Sequence, residues 1–296
     1  MVIFLSAVAA FSFAAGSVLA KRGMQHTKPL TALILSSGVA ALILGSVVLL
    51  DPPDNVTFNA LWLFAAAGLA GDGVGRFSML GAVDRLGPSL AIPIQTAAYP
   101  LIAVTGGVVV LSETVTVPQI FGAATVVGGI WVLLAPSRGE VGAADAGGSL
   151  SGVRWAALLL PVLAGVGFAV SDLFRKSGLD ETPDPAFGAL VAVGTMLSIL
   201  IVTAAAVPRL RRQISVGAGW GWLVASGISI AVALLTLFEA LEGGAVSAVG
   251  PIIAAQPLAV VGLSWLLLHN IERVTLRMVV GAALVVAGVI LIAVSA

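Results

Sequence analysis

Cysteine is absent from the 296 residues, and the chain has only two histidines and one tyrosine. With no thiol, disulfides, thiolate chemistry and zinc-finger ligation are excluded. His26 and His269 each stand alone at the edge of an apolar run, without a second imidazole or a carboxylate cluster nearby, so neither implies a metal site. Nothing in the sequence calls for a cofactor. Charge is scarce as well: Asp, Glu, Lys and Arg together make 9% of the chain, against about 25% in a soluble domain that must wet its surface. The 14 basic residues balance 14 acidic ones, which leaves no basic patch for nucleic acid.

What fills the chain is apolar. Hydrophobic residues make 59% and the mean hydropathy is +1.13, so most of the outer surface must face lipid. At about 20 residues per helical crossing, roughly ten crossings fit if loops are short. The apolar runs fall at 2–20, 30–50, 60–81, 87–110, 117–135, 153–173, 186–207, 219–240, 246–268 and 277–295. They lack the alternation of barrel strands, and lipid tolerates only helices or closed barrels because an unpaired backbone group there costs several kcal/mol. Polar breaks are expected at Lys21–Pro29, Asp51–Thr57, Asp84–Arg85, Glu113–Thr116, Ser177–Pro185 and Pro208–Gln213. Residues 1–20 lack the charged head of a leader peptide and read as a retained first span. The Gly- and Ala-rich stretch 136–152 reads as a linker.

The chain tells this story twice. Phe13, Ala14, Lys21 and Gly23 recur 155 residues later as Phe168, Ala169, Lys176 and Gly178. Glu113, Thr116, Gly122 and Gly129 recur at an offset of 159 as Glu272, Thr275, Gly281 and Gly288. The expected fold is therefore an all-α membrane protein whose ten transmembrane helices form two five-helix repeats, 1–135 and 153–296. Five is odd, so two tandem units enter the membrane with opposite orientations, the layout of inverted-repeat carriers. Lys and Arg gather in alternate breaks, which places both termini outside the cell.

Two paired segments carry a family resemblance. One runs from Pro88-Ser89 through Pro100 to Leu111-Ser112-Glu113-Thr114-Val115-Thr116 and the Gly122/Gly129 span. The other runs from Gly250-Pro251 through Pro257 to Ile271-Glu272-Arg273-Val274-Thr275 and Gly281/Gly288. In this the chain resembles the EamA-like ten-helix members of the drug/metabolite transporter superfamily, over nearly all of its length. It departs in lacking an Arg early in its second span; Lys28 lies just ahead of it instead. The resemblance implies a secondary carrier with a central cavity between its halves. It also implies cytoplasmic termini, against the Lys/Arg bias, so sidedness stays open.

Several polar residues at membrane depth are candidates for a substrate or proton pathway. Asp72 lies mid-span with Arg76 four residues on, on the same helical face. An ionised group at that depth costs a few kcal/mol and must face a cavity or a partner. The plainer alternative is a pair that only fixes helix packing. Gly71-Asp72-Gly73-Val74-Gly75 is not a phosphate loop, since it lacks the Lys and Ser/Thr of one. Asp172, Arg175 and Lys176 are placed at the end of span 153–173, where the two cations would snorkel to headgroups. Glu239 closes span 219–240 and is a candidate gating group. Gln95, Thr96 and Tyr99 precede Pro100, as Gln256 precedes Pro257; each proline is expected to kink its span and free a carbonyl. Trp62, Trp220 and Trp222 read as interface anchors.

These readings converge on a non-enzymatic, multi-pass protein of the cell membrane: a secondary active transporter, read as an exporter of small metabolites or amphiphilic compounds. Its partners would be the lipid bilayer, a small-molecule substrate, and a coupling proton or cation taken by Asp72 or Glu239. The alternative is a cation or divalent-metal permease using Asp72, Asp172 and Glu239 as an acidic path. Membrane proteolysis is disfavoured because Gly71-Asp72-Gly73 does not supply the Gly-x-Gly-Asp order.

Overall fold

The structure is a computed structural model that describes residues 1–98, 117–134, 155–208, 214, 217–243, 249, 252–253, 255–268 and 275–294. The described residues are helical, joined by short turns. α1 (Val2–Gly23) and α2 (Pro29–Leu50) open the first half. α3 (Phe58–Ala67) continues through a π-helical segment, Gly68–Arg76, into α4 (Phe77–Leu86) without a break. Gly87, at φ 79°, ends that rod, and α5 follows over 88–98. Then come α6 (Val117–Leu134), α7 (Trp155–Glu181), α8 (Pro185–Ala206), α9 (Trp220–Gly243), α10 (Gln256–Leu267) and α11 (Leu276–Val294).

Among the described residues, α1, α2, α7, α8 and α9 are each long and apolar enough to cross a bilayer. Their starts follow from ordinary capping chemistry. The Thr57 hydroxyl accepts from the Ala60 N–H at 3.1 Å and the Asp184 carboxylate from the Phe187 N–H at 2.8 Å, each satisfying one orphan donor of a helix start. Pro29 and Pro185 occupy first-turn positions where no N–H is missed.

Two expected boundaries shift. The third span continues through Asp84 and Arg85, and the sixth continues past Asp172 to Glu181. Charge does not end a helix. In α7 the Lys176–Asp180 pair at 3.2 Å, one turn apart, supports the extension.

The repeat reappears as paired contacts. Gly129 of α6 lies against the Gly281 carbonyl of α11, where an added Cβ would sit 2.9 Å from the oxygen. Gly288 lies against the Gly122 carbonyl, where the same atom would sit at 2.7 Å. Since Gly122 and Gly281 are repeat equivalents, as are Gly129 and Gly288, the two contacts are one contact seen twice. They also show that α6 and α11, equivalent helices, run antiparallel. α1 packs along α9, and α7 packs along the α3–α4 rod, in matching fashion. Gly23 receives the Leu223 side chain, and its counterpart Gly178 receives Phe64, which stands 159 residues before Leu223. The Ser226 hydroxyl donates to the Gly16 carbonyl at 2.8 Å. At the equivalent crossing Ser171 donates to the Ala67 carbonyl, also at 2.8 Å, with the serine moved to the other helix. Small residues at such crossings let backbones approach and hydrogen-bond directly.

The turns agree. The Thr57 N–H donates to the Thr182 hydroxyl at 3.5 Å, joining the turn after α2 to the turn after α7. Gly217, after α8, sits against the His26 carbonyl, after α1. Each half's first turn thus meets the other half's second turn. One end of the bundle carries Lys21, Arg22, Lys28 and Arg85 with Asp84; the other carries Asp51, Asp54, Asp180, Glu181 and Asp184 with Lys176. Large apolar side chains such as Leu42, Ile201, Trp131 and Trp265 point outward, as a lipid-facing surface requires.

Candidate functional site

The glycine-rich run GLAGDGVGR forms the π segment. Its four glycines are weak α-formers, and neighbours press on them. A Cβ on Gly68 would collide with the Ala192 carbonyl of α8, and one on Gly71 with the Ser171 hydroxyl of α7. A Cβ on Gly75 would meet the Phe168 ring at 3.0 Å. The rod's wide turn thus lies where it is closely packed on two sides, and such turns recur at functional sites. Asp72 and Arg76 stand on this turn, both buried.

Asp72 lies between two guanidinium groups. Its Oδ1 is 3.7 Å from Arg76 Nη1, and its Oδ2 is 3.9 Å from Nη2 of Arg175 on α7. Arg175 Nη1 donates to Asp172 Oδ1 at 3.0 Å. Arg76 donates from Nη1 to the Ser37 hydroxyl at 3.1 Å and from Nη2 to the Ser36 hydroxyl at 3.0 Å. The Phe238 ring of α9 lies 5.3 Å from the Arg175 guanidinium, within cation–π range. Two acids and two bases therefore balance in a neutral group that ties the α3–α4 rod of the first half to α7 of the second. Each buried ion costs several kcal/mol to desolvate, and good mutual geometry must offset that. Here one part is satisfied and one is not: Asp72 Oδ2 and Arg175 Nε are buried without a hydrogen-bond partner.

The structure thus brings together Asp72, Arg76 and Asp172 of the expected residues. It adds Arg175, Ser36, Ser37 and Phe238, which sequence reasoning did not place there. Arg175 is 3% exposed; the expected snorkelling is replaced by burial, because α7 runs on past it. Glu239, the residue after Phe238, is half-buried, with Glu242 one turn on. Gln95 on α5 and Gln256 at the start of α10 are half-buried too. Tyr99 and Pro100 lie outside the described residues. Pro257 stands in the first turn of α10, a few residues after helical Ile252 and Ile253, a position where its missing N–H costs little.

Repeat equivalence exposes an asymmetry. Gly227 of α9 presses on the Ser36 carbonyl as Gly68 presses on that of Ala192, which puts the two sites in register. Ala231 and Leu235 then stand where the first half has Asp72 and Arg76, and Ala192 and Val193 stand where it has Ser36 and Ser37. In the second half this place is apolar core.

Comparison with known proteins agrees with the fold. A solved crystal structure of a protein aligns over 97% of this chain and 94% of its own, with a TM-score of 0.62 and 18% identity. Among curated proteins no match was found. The model of the EamA-like transporter family matches residues 1–135 and again 154–294. The chain belongs to the EamA-like transporter family, as a multi-span membrane protein.

Proposed function

We propose that this protein is a secondary active transporter of the cell membrane, moving small metabolites or amphiphilic compounds outward by alternating access. Ten crossings, as two inverted five-helix repeats over 1–135 and 153–296 joined by the 136–152 linker, would rock against each other around a central site. The observation that carries this reading is the buried ionic group joining the two halves inside an apolar bundle of a transporter family. Asp72 is the coupling acid, and Glu239 is a second candidate. A proton on Asp72 cancels its attraction for both guanidinium groups and loosens the tie between the halves. Gln95, Tyr99 and Gln256 supply neutral donors and acceptors to the same pathway.

The permease alternative is weaker. Among the described residues no three acids or histidines gather as a metal site, and Arg175 stands between Asp72 and Asp172, where it repels a cation.

Proteoliposomes carrying an internal pH dye test the proposal. A substrate from a panel of metabolites and amphiphiles should collapse an imposed pH gradient, and Asp72→Asn should uncouple flux from that gradient. Full gradient dependence in Asp72→Asn removes the coupling role. Saturable conductance to Mg²⁺ without metabolite flux removes the carrier.

A further inference from the structure

The two arginines of the cluster are not in the same condition. Arg76 is engaged, one nitrogen on each of Ser36 and Ser37. Arg175 donates one hydrogen bond, from Nη1 to Asp172 at 3.0 Å, with the Phe238 ring 5.3 Å from its guanidinium carbon. Its other edge is formed by Nε and Nη2. Nε has no partner, and Nη2 reaches no closer than 3.9 Å to Asp72 Oδ2, which also lacks one. Gly71 keeps the Nη2 side clear, since a Cβ there would stand 3.1 Å from that nitrogen. A rigid guanidinium edge with two parallel N–H groups fits the two oxygens of a carboxylate.

We propose that the Nε–Nη2 edge of Arg175 is a binding site for a small monocarboxylate, and that Asp72 is the built-in counter-ion which that ligand displaces. The proposal rests on the transporter reading and names the substrate class of its site. Charge balance selects a monoanion. With Asp72 ionised, the two acids and two arginines sum to zero; with Asp72 neutral, one further negative charge restores that sum and two overshoot it. The ligand's apolar remainder would lie against Phe238, on a site closed in this structure and opened as the halves part.

The experiment is a thermal-shift titration of the purified full-length protein with acetate, propionate and benzoate, their amides, and inorganic phosphate, at constant ionic strength. Carboxylates should raise the melting temperature, while amides and phosphate should not. Asp72→Asn, which removes the competing charge and keeps Arg175, should bind carboxylates about tenfold more tightly. Arg175→Lys, which keeps the charge and loses the fork, should lose the shift. Amides equal to carboxylates, phosphate binding better, or unchanged or weaker carboxylate binding in Asp72→Asn would each overturn the proposal. The wild-type contrast between acid and amide needs no variant to fold. Carboxylate binding without flux in vesicles would leave this site standing and remove the carrier. Flux of neutral or cationic solutes with no carboxylate binding would do the reverse.

Discussion

A guanidinium presents five N–H donors, and one buried in an apolar bundle obliges the fold to supply acceptors. For Arg76 the supply is Ser36 and Ser37. Each of Ser36→Ala and Ser37→Ala should therefore cost about 1–3 kcal/mol, the cost of a stranded donor, read as a lower melting temperature of the purified protein. Ser46→Ala is the control, because that hydroxyl only returns to the Leu42 carbonyl of its own helix; it should change little. Asp72 and Arg76 were legible from sequence because a charge amid apolar residues is conspicuous. Ser36 and Ser37 were not, since serine in a membrane helix is common and usually bonds its own backbone. Arg175 was legible as a charge and misplaced as an end, because Asp172, Arg175 and Lys176 together resemble the boundary of a span.

Helix packing depends on which glycines face a neighbour. Gly68 and Gly227 each press on a backbone carbonyl of a second-span helix, whereas a Cβ on Gly194 would meet nothing within 4 Å. Gly68→Ala and Gly227→Ala should each destabilise by about 1–3 kcal/mol, as overpacking does. Gly194→Ala should stabilise by about 0.5–1 kcal/mol through helix propensity alone. Thermal unfolding of the three variants in one detergent separates these outcomes, and equal shifts in all three would contradict the crossings described. Runs of about 20 apolar residues announced the long helices. The π turn within Gly68–Arg76 left no such mark: four glycines permit a widened turn without requiring one, and the close packing of α7 and α8 on that turn is a tertiary feature.

For the whole molecule, the pairing of turns makes a topological prediction. Thr57 meets Thr182 at one end of the bundle, and His26 meets Gly217 at the other. Since the natural chain has no cysteine, single cysteines can be read without background. Asp54→Cys and Asp184→Cys should react with an impermeant thiol reagent from one side of intact vesicles, and Gln25→Cys from the opposite side. Labelling of Asp184→Cys from the same side as Gln25→Cys would refute the opposed halves. The same labels settle sidedness, which the Lys/Arg bias and the family's habit assign in opposite ways.

The ionic group is one-sided. Positions 72, 76, 172 and 175 have Ala231, Leu235, Ser17 and Ala20 as their counterparts. An internally duplicated machine with matched parts would idle equally in either posture, as a coin has no preferred face. This one is weighted: its charges have no partners at the matching positions of the other half. Under the proposed alternating access, copying Asp and Arg into 231 and 235 should alter how long each mouth waits open, even where the chemistry of the bound solute is untouched.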